Sequence, residues 1–300
     1  MKKLFMWIED GWAVGKIHHN LSTYLSDEFE ITICDWNGWA ILNEQRKEFD
    51  ECDIFLVCYA GQHYTLANFP NINLKKCVFV SHGFSEMSII PNPSPLATYG
   101  MVSRSIEHLF PSYIKPFFVP NCVELDDYVH KEHSGSTNVI GWCGAPHVWF
   151  KQFHWAQEIA KQMNTKLQVS SKVSSENVND WVRLTPEEVK EWYSTIDILL
   201  VTSIPNGESE TGPLPAFEAI ASGVVVIGTP VGNFKEIPGP KFSTIEEAVS
   251  ILNELKSNPE KVKQIAREQY DSIVNKWNYK VVSEKWKEMF RSALKNAEST

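Results

Sequence analysis

Three hundred residues, 43% hydrophobic, 22% charged and 12% aromatic, describe a globular chain able to bury a sizeable core, and exclude disorder, collagen and small disulfide scaffolds. A chain of this length lies where one core tends to split, so two domains are expected. The formal charge of -9 argues against a general nucleic-acid binder, whose phosphate contacts need clustered Lys and Arg.

In chain order, KLFMWI (3–8) reads as a strand that Glu9 and Asp10 interrupt before a signal-peptide core could form. No apolar stretch is long enough to span a membrane. Val14, Ile17, Leu21 and Leu25 then fall on one helical face. The stretch from Gly11 to Ile17 is a near miss for a phosphate-binding P-loop, one residue short and with Ile17 where a Ser or Thr belongs. FEITICDW (29–36), DIFLVCYA (53–60), KCVFVSHG (76–83) and KPFFVPN (115–121) continue the strands, with a helix over 39–50. Short β-rich runs alternating with helix-period segments predict an α/β fold with parallel sheets. Residues 130–138 are polar and aperiodic, as a linker would be. The six cysteines are scattered, without metal-ligand spacing, and read as reduced core thiols of a cytoplasmic protein.

A second alternating series follows: strand 138–142, helix 151–163, strand 166–171, helix 186–195, strand 197–203, helix 215–222 stopped by Gly223, and strand 224–229. Helices near 245–256 and 260–275 come next. Val282, Trp286, Met289, Phe290 and Ala293 give a last helix an apolar face that must pack on something.

The segment richest in chemistry is GESETGPLPAFEAIASGVVVIGTPVG (207–232), in which seven residues separate Glu210 from Glu218. Glu210 falls in the loop after a strand, at the carboxyl edge where open α/β sheets bind ligands. Glu218 falls in the first turns of the next helix, near the backbone amides of Thr211, Gly212 and Leu214. Such amides suit a phosphate, and the carboxylates suit sugar or ribose hydroxyls. By spacing alone the two glutamates read as a solvated loop residue and a residue that caps or salt-bridges a surface helix.

The segment resembles the signature of glycosyltransferase family 4, the retaining enzymes of GT-B fold. The match runs through Glu210, Thr211-Gly212-Pro213, Leu214-Pro215, Glu218-Ala219, Ala221-Ser222-Gly223 and Val231-Gly232-Asn233, with Glu236 beyond. Pro213 replaces a common Gly and removes one N–H. VPNCVEL (119–125), RLTPEEVKEWYSTIDILLVTS (183–203) and WNYKVVSEKWKEMF (277–290) are similar to further family segments. The resemblance implies two Rossmann-like domains facing across a cleft. Residues 1–132 would form the acceptor domain, joined by a closing helix over 280–300, and 133–279 the donor domain.

It also implies roles. Lys151 stands where the family places a Lys against the donor diphosphate; the accompanying Arg is absent, and His147 is its candidate stand-in. His82, at a strand end, would line the reaction centre, and Gly15 would let backbone approach donor or acceptor. Glu210 would hold sugar hydroxyls, and Glu218 ribose. Amides of the stretch from Thr211 through Gly212 and Pro213 to Leu214 would hold the diphosphate with Lys151. Glu9, Asp10, His18 and His19 could touch acceptor hydroxyls, though a solvated helix face is the plainer reading. Loops near Ser170 to Arg183 would select the base.

The implied activity is transfer of a sugar from a nucleoside diphosphate, a UDP- or GDP-sugar being the expected donor, to a hydroxyl on a carbohydrate, lipid-linked or other acceptor. Retention follows from the family. No D-x-D triplet is present, so metal-independent transfer without a further cofactor is expected. Residues 1–125 hold 14 Asp and Glu against 9 Lys and Arg, which disfavours a nucleic-acid acceptor. Two alternatives stay open: a non-catalytic GT-B protein that binds a nucleotide or partner, and a GT-B nucleotide-sugar epimerase.

Overall fold

The structure, a computed structural model, describes residues 1–8, 13–35, 45–58, 72–89, 93–172, 182–205 and 209–299. Two compact units emerge: Met1–Cys122 with Tyr279–Thr300, and Val123–Asn278. The expected sites Glu9 and Asp10, and part of the expected helix 39–50, lie outside the described residues.

The first unit is a parallel sheet with strand order β2-β1-β3-β4-β5-β6. Its strands are β1 (Lys2–Ile8), β2 (Phe29–Asp35), β3 (Ile54–Val57), β4 (Cys77–Ser81), β5 (Thr98–Met101) and β6 (Phe117–Phe118). β1 is buried from Leu4 to Ile8, which is why it reads as a continuous apolar run rather than an alternating one. One face of the sheet carries a cluster around Phe5, Trp7, Phe49 and Phe55. Phe49 is supplied by the short helix α2 (Arg46–Glu51) and meets Phe55 edge-on at 4.8 Å.

Helix α1 (Ala13–Leu25) buries Ile17, His18, Leu21 and Leu25. The closing helix, named α9 below, spans Tyr279–Glu298 and buries Val282, Trp286, Met289, Phe290 and Ala293, the face its periodicity predicts. It belongs to this unit, with Phe290 edge-on to Phe29 at 5.6 Å. Each large apolar side chain so buried contributes about 1.5–3 kcal/mol. Strand β5 escapes sequence-based expectation because Gly100 reads as a turn residue. A Cβ at Gly100 would stand 2.9 Å from Met289 Sδ and 3.0 Å from Val119 Cγ2, so the helix packs where a side chain would be.

The second unit has strand order β10-β9-β7-β8, all parallel: β7 (Val139–Trp142), β8 (Lys166–Val169), β9 (Ile198–Val201) and β10 (Val225–Gly228). Helices α4 (Phe153–Gln162), α5 (Pro186–Tyr193), α6 (Leu214–Ala221), α7 (Ile245–Ser257) and α8 (Pro259–Lys276) complete it, α3 (Glu86–Ile89) being the remaining short helix of the first unit. Buried Gln269 of α8 pairs with both backbone groups of Val226, its Oε1 accepting at 2.9 Å and its Nε2 donating at 2.7 Å. A helix side chain thus covers a sheet edge that would otherwise offer open hydrogen-bonding groups.

Two expectations are corrected. The division falls after Cys122 and not at 132, because 123–132 pairs with the second unit: Val123 N–H donates to Trp277 O, Lys131 N–H to Ser222 O, and Asp127 meets Lys190. Nor does one helix run from 151 to 163. A 3-10 turn over Trp149–Lys151 precedes α4, and Gln152 between them is left-handed at φ 46.

Candidate functional site

In the second unit the chain leaves β7 for β8 on one side and reaches β9 on the other, so the β7/β9 ends form the crevice in which open sheets hold ligands. After β7 the 3-10 turn is fastened to the end of β9. Ile204 N–H donates to Phe150 O at 2.9 Å, and Thr202 Oγ1 donates to Lys151 O at 2.7 Å while accepting from Trp142 Nε1 at 2.9 Å. These bonds bring Lys151 Nζ within 2.5 Å of Glu210 Oε1, and Ser203 Oγ donates to the same oxygen at 3.2 Å. The pair borders a recess whose lining includes Trp142, Cys143, Ser203, Pro213 and Pro215.

The loop carrying Glu210 is held from behind. Asn233 N–H donates to Thr211 O at 2.8 Å, and Gly232 adopts φ 43. A Cβ there would fall 2.1 Å from Thr211 O, so only glycine lets this turn approach the loop. Thr211, Gly212 and Pro213 are buried, and Pro213 forms the N-cap of α6 with Leu214 as the first helical residue. Its carbonyl accepts from Ala216 N–H at 2.9 Å.

Glu218 follows, half-buried, one turn after Pro215. Its Oε2 accepts from Tyr193 O–H at 3.0 Å, and Cys143 Sγ lies 3.9 Å from the same hydroxyl oxygen. Burial pushes the Tyr193 hydroxyl well above its ordinary pKa and raises the Cys143 thiol, so both keep their protons near neutral pH. The fold therefore brings Lys151, Glu210 and Pro213 to one recess, with Glu218 beside it. His147 is exposed on the loop leading to Lys151 and does not line the recess. Part of the loop near Ser170 to Arg183 lies outside the described residues.

In the first unit His82 follows β4. Its backbone N–H donates to Glu86 Oε1 at 3.0 Å, from a carboxylate buried at the start of α3. Its ring stands edge-on to His18 at 5.4 Å, and His18 meets Trp286 at the same separation. Burial first, and the neighbouring His18 second, hold His82 well below the usual imidazole pKa. Burial lowers His18 to about 4 against the 2.7 Å bond that its Nδ1 makes with Val14 O. Gly15 is buried in the first turn of α1, one turn before His18.

The plain reading of His18 as part of a solvated face is thus wrong, whereas His19 is exposed. Its ring meets His82 and Trp286, both far along the chain. Sequence reasoning missed Ser203, Tyr193, Thr202 and Glu86. The signals present are positional: Ser203 lies two residues past the end of β9 at the switch point, and Tyr193 is the last residue of a capped helix. Among the described residues no three His, Cys, Asp or Glu side chains are grouped to hold a metal, and no helix is long and apolar enough to cross a membrane.

Residues 147–288 match a family model described as glycosyl transferase-like, a stretch that contains Lys151, Glu210 and Glu218. The chain also resembles sucrose-phosphate synthase from Thermosynechococcus elongatus, with TM-score 0.73, 12% identity, and coverage of 97% of this chain and 98% of that one. AviGT4, a glycosyltransferase involved in avilamycin A biosynthesis, gives 0.57 at 14% identity over 98% of each chain. The chain has the GT-B fold. A putative UDP-N-acetylglucosamine 2-epimerase from Listeria monocytogenes gives 0.57 at 13% identity over 95% and 94% of the two chains, so the fold alone does not choose a reaction. No curated protein matches the sequence.

Proposed function

We propose that the protein is a glycosyltransferase that takes a sugar from a nucleoside-diphosphate donor held on the second unit and passes it to an acceptor hydroxyl, with retention and without a metal. The observation that carries this reading is the Lys151–Glu210 pair at the strand switch point, inside the glycosyl transferase-like stretch. Before a donor arrives, each charge compensates the other. When it binds, the diphosphate takes the ammonium and the sugar hydroxyls donate to the carboxylate, so neither group is left buried and uncompensated. As the bond to the sugar breaks, negative charge grows on the departing nucleotide. A fixed ammonium is stabilising there because the charge it meets is larger in the transition state than in the ground state.

Glu218 then accepts from ribose hydroxyls. His82, neutral because it is buried, offers hydrogen bonds to a sugar without adding charge. We assign the acceptor to the first unit, together with Gly15, and UDP- or GDP-sugars as the expected donors.

Thermal unfolding against UDP, GDP, ADP, dTDP and CMP and their sugars tests the reading, with Glu218→Ala beside the wild type. A ligand at about 100 times its dissociation constant adds about 2.7 kcal/mol of stability. Selective stabilisation by one nucleotide, lost in the variant, supports the donor site; no shift with any of them overturns it. Anomeric proton coupling in the product reads retention directly. An epimeric nucleotide-sugar formed with no acceptor present would replace transfer by epimerisation.

A further inference from the structure

Among the described residues that line the recess, Lys151 is the one cation and Glu210 the one anion. Leucines of β9, Pro213 and Pro215 supply apolar wall, and the Cys143 thiol stays protonated because burial raises its pKa. The ammonium is therefore engaged before any ligand arrives. Its Nζ stands 2.5 Å from Glu210 Oε1, and both side chains are largely withdrawn from solvent. A charge-assisted bond shielded in this way is about twice as strong as a neutral one.

Both partners are carried on fastened backbone. The bonds from Ile204 N–H to Phe150 O and from Thr202 Oγ1 to Lys151 O fix the lysine, and the bond from Asn233 N–H to Thr211 O fixes the loop of the glutamate. Ser203 Oγ donates at 3.2 Å to the same Oε1 that the ammonium meets. When a diphosphate draws the ammonium away, Ser203 is the partner that stays with this oxygen, a neutral hydroxyl in place of a positive charge. The carboxylate then faces the added negative charge of the phosphates. A donor brings sugar hydroxyls that relieve this, and a sugar-free nucleoside diphosphate brings none. An uncompensated charge of this kind discriminates between two ligands by penalising one of them.

Resting on the donor-site reading above, we propose that Glu210 competes with the diphosphate for Lys151, and so loosens the hold on the nucleoside diphosphate once the sugar has left. The ion pair is open while the donor is bound and re-forms as the product departs. It thereby acts against the product more than against the donor.

Titration calorimetry on the full chain tests this with UDP beside UDP-glucose and UDP-N-acetylglucosamine, GDP beside GDP-mannose, and ADP beside ADP-glucose. Glu210→Gln keeps the shape of the side chain and removes its charge. It should tighten the sugar-free diphosphate by about five- to tenfold, about 1.4 kcal/mol at tenfold, and leave the sugar-bearing form within about threefold. Unfolded chain binds neither ligand, so the ratio of the two reads only folded protein however much of the variant folds. In a Lys151→Met background the same change should gain clearly less, because no ammonium is left to compete for. Tightening of the sugar-free diphosphate by less than about threefold, equal tightening of the sugar-bearing form, or a gain undiminished beside Lys151→Met overturns the proposal and leaves the donor site standing. Failure of the wild type to bind any of these ligands overturns the donor site and this proposal together.

Discussion

Lys151 and Glu210 meet as a charged pair in the second unit, their side chains still 24% and 14% exposed, whereas His18 and His82 meet in the first unit as rings behind Trp286. Opposite charges in partial contact with water can both remain ionised, since each compensates the other's lost hydration. Two imidazoles packed ring to ring cannot both charge without cost, and burial lowers both pKa values. The second unit thus keeps a charged pair in partial contact with water, and the first keeps buried rings uncharged near neutral pH.

The largest expected effect comes from breaking the charged pair. Lys151→Met should lower the rate of sugar transfer by about 10²- to 10³-fold, comparable to removing one oxyanion-stabilising donor, as read by nucleoside-diphosphate release. A loss below about tenfold would mean that the ammonium does not face the leaving group.

Next in size is the glycine behind that pair. Gly232→Ala places a Cβ on Thr211 O in a left-handed conformation and should cost about 2 kcal/mol or more in urea unfolding, with the nucleotide shift lost as well.

The histidine pair predicts a pH dependence of opposite origin. His18 titrates at about 4 folded and near 6.5 unfolded, so between those values the unfolded chain binds more protons. Its contribution is fully present above about pH 6.5 and falls away as pH drops toward 4, by on the order of 3 kcal/mol. His18→Gln should flatten that part of a stability–pH curve; an unchanged slope would mean that other groups carry it. Smallest is Glu86→Ala, which strips the His82 amide of its acceptor and should cost about 1–2 kcal/mol while leaving nucleotide affinity unmoved.

Much of this architecture was legible because parallel strands buried on both faces announce themselves as apolar runs. β1, β4, β7, β9 and β10 were found that way, and α9 by its repeat of Val282, Trp286, Met289 and Phe290. The unread parts share a cause: each depends on a partner distant in sequence. Gly100 looks like a turn until Met289 is packed over it, and His18 looks solvated until His82 and Trp286 surround it. The domain division was misplaced because polar residues 123–132 lack periodicity yet hydrogen-bond to Trp277 and Ser222. Glu210, Glu218 and Lys151 are the residues that the signature and its surroundings single out, and the fold brings Lys151 and Glu210 to one recess, while the contacts of Ser203 and Tyr193 depend on a loop and a helix end that meet these residues only in the fold.

The assignment of Tyr279–Thr300 to the same unit as Met1–Cys122 has a consequence for how the protein is made. During synthesis the first unit's strands emerge early but must wait for α9, and at ordinary ribosomal speeds the delay is on the order of ten seconds. Val123–Asn278 is contiguous and can complete itself as it is translated. For that interval the nascent chain carries an uncovered surface opposite Trp286 and Phe290, the stretch at which a chaperone would find it.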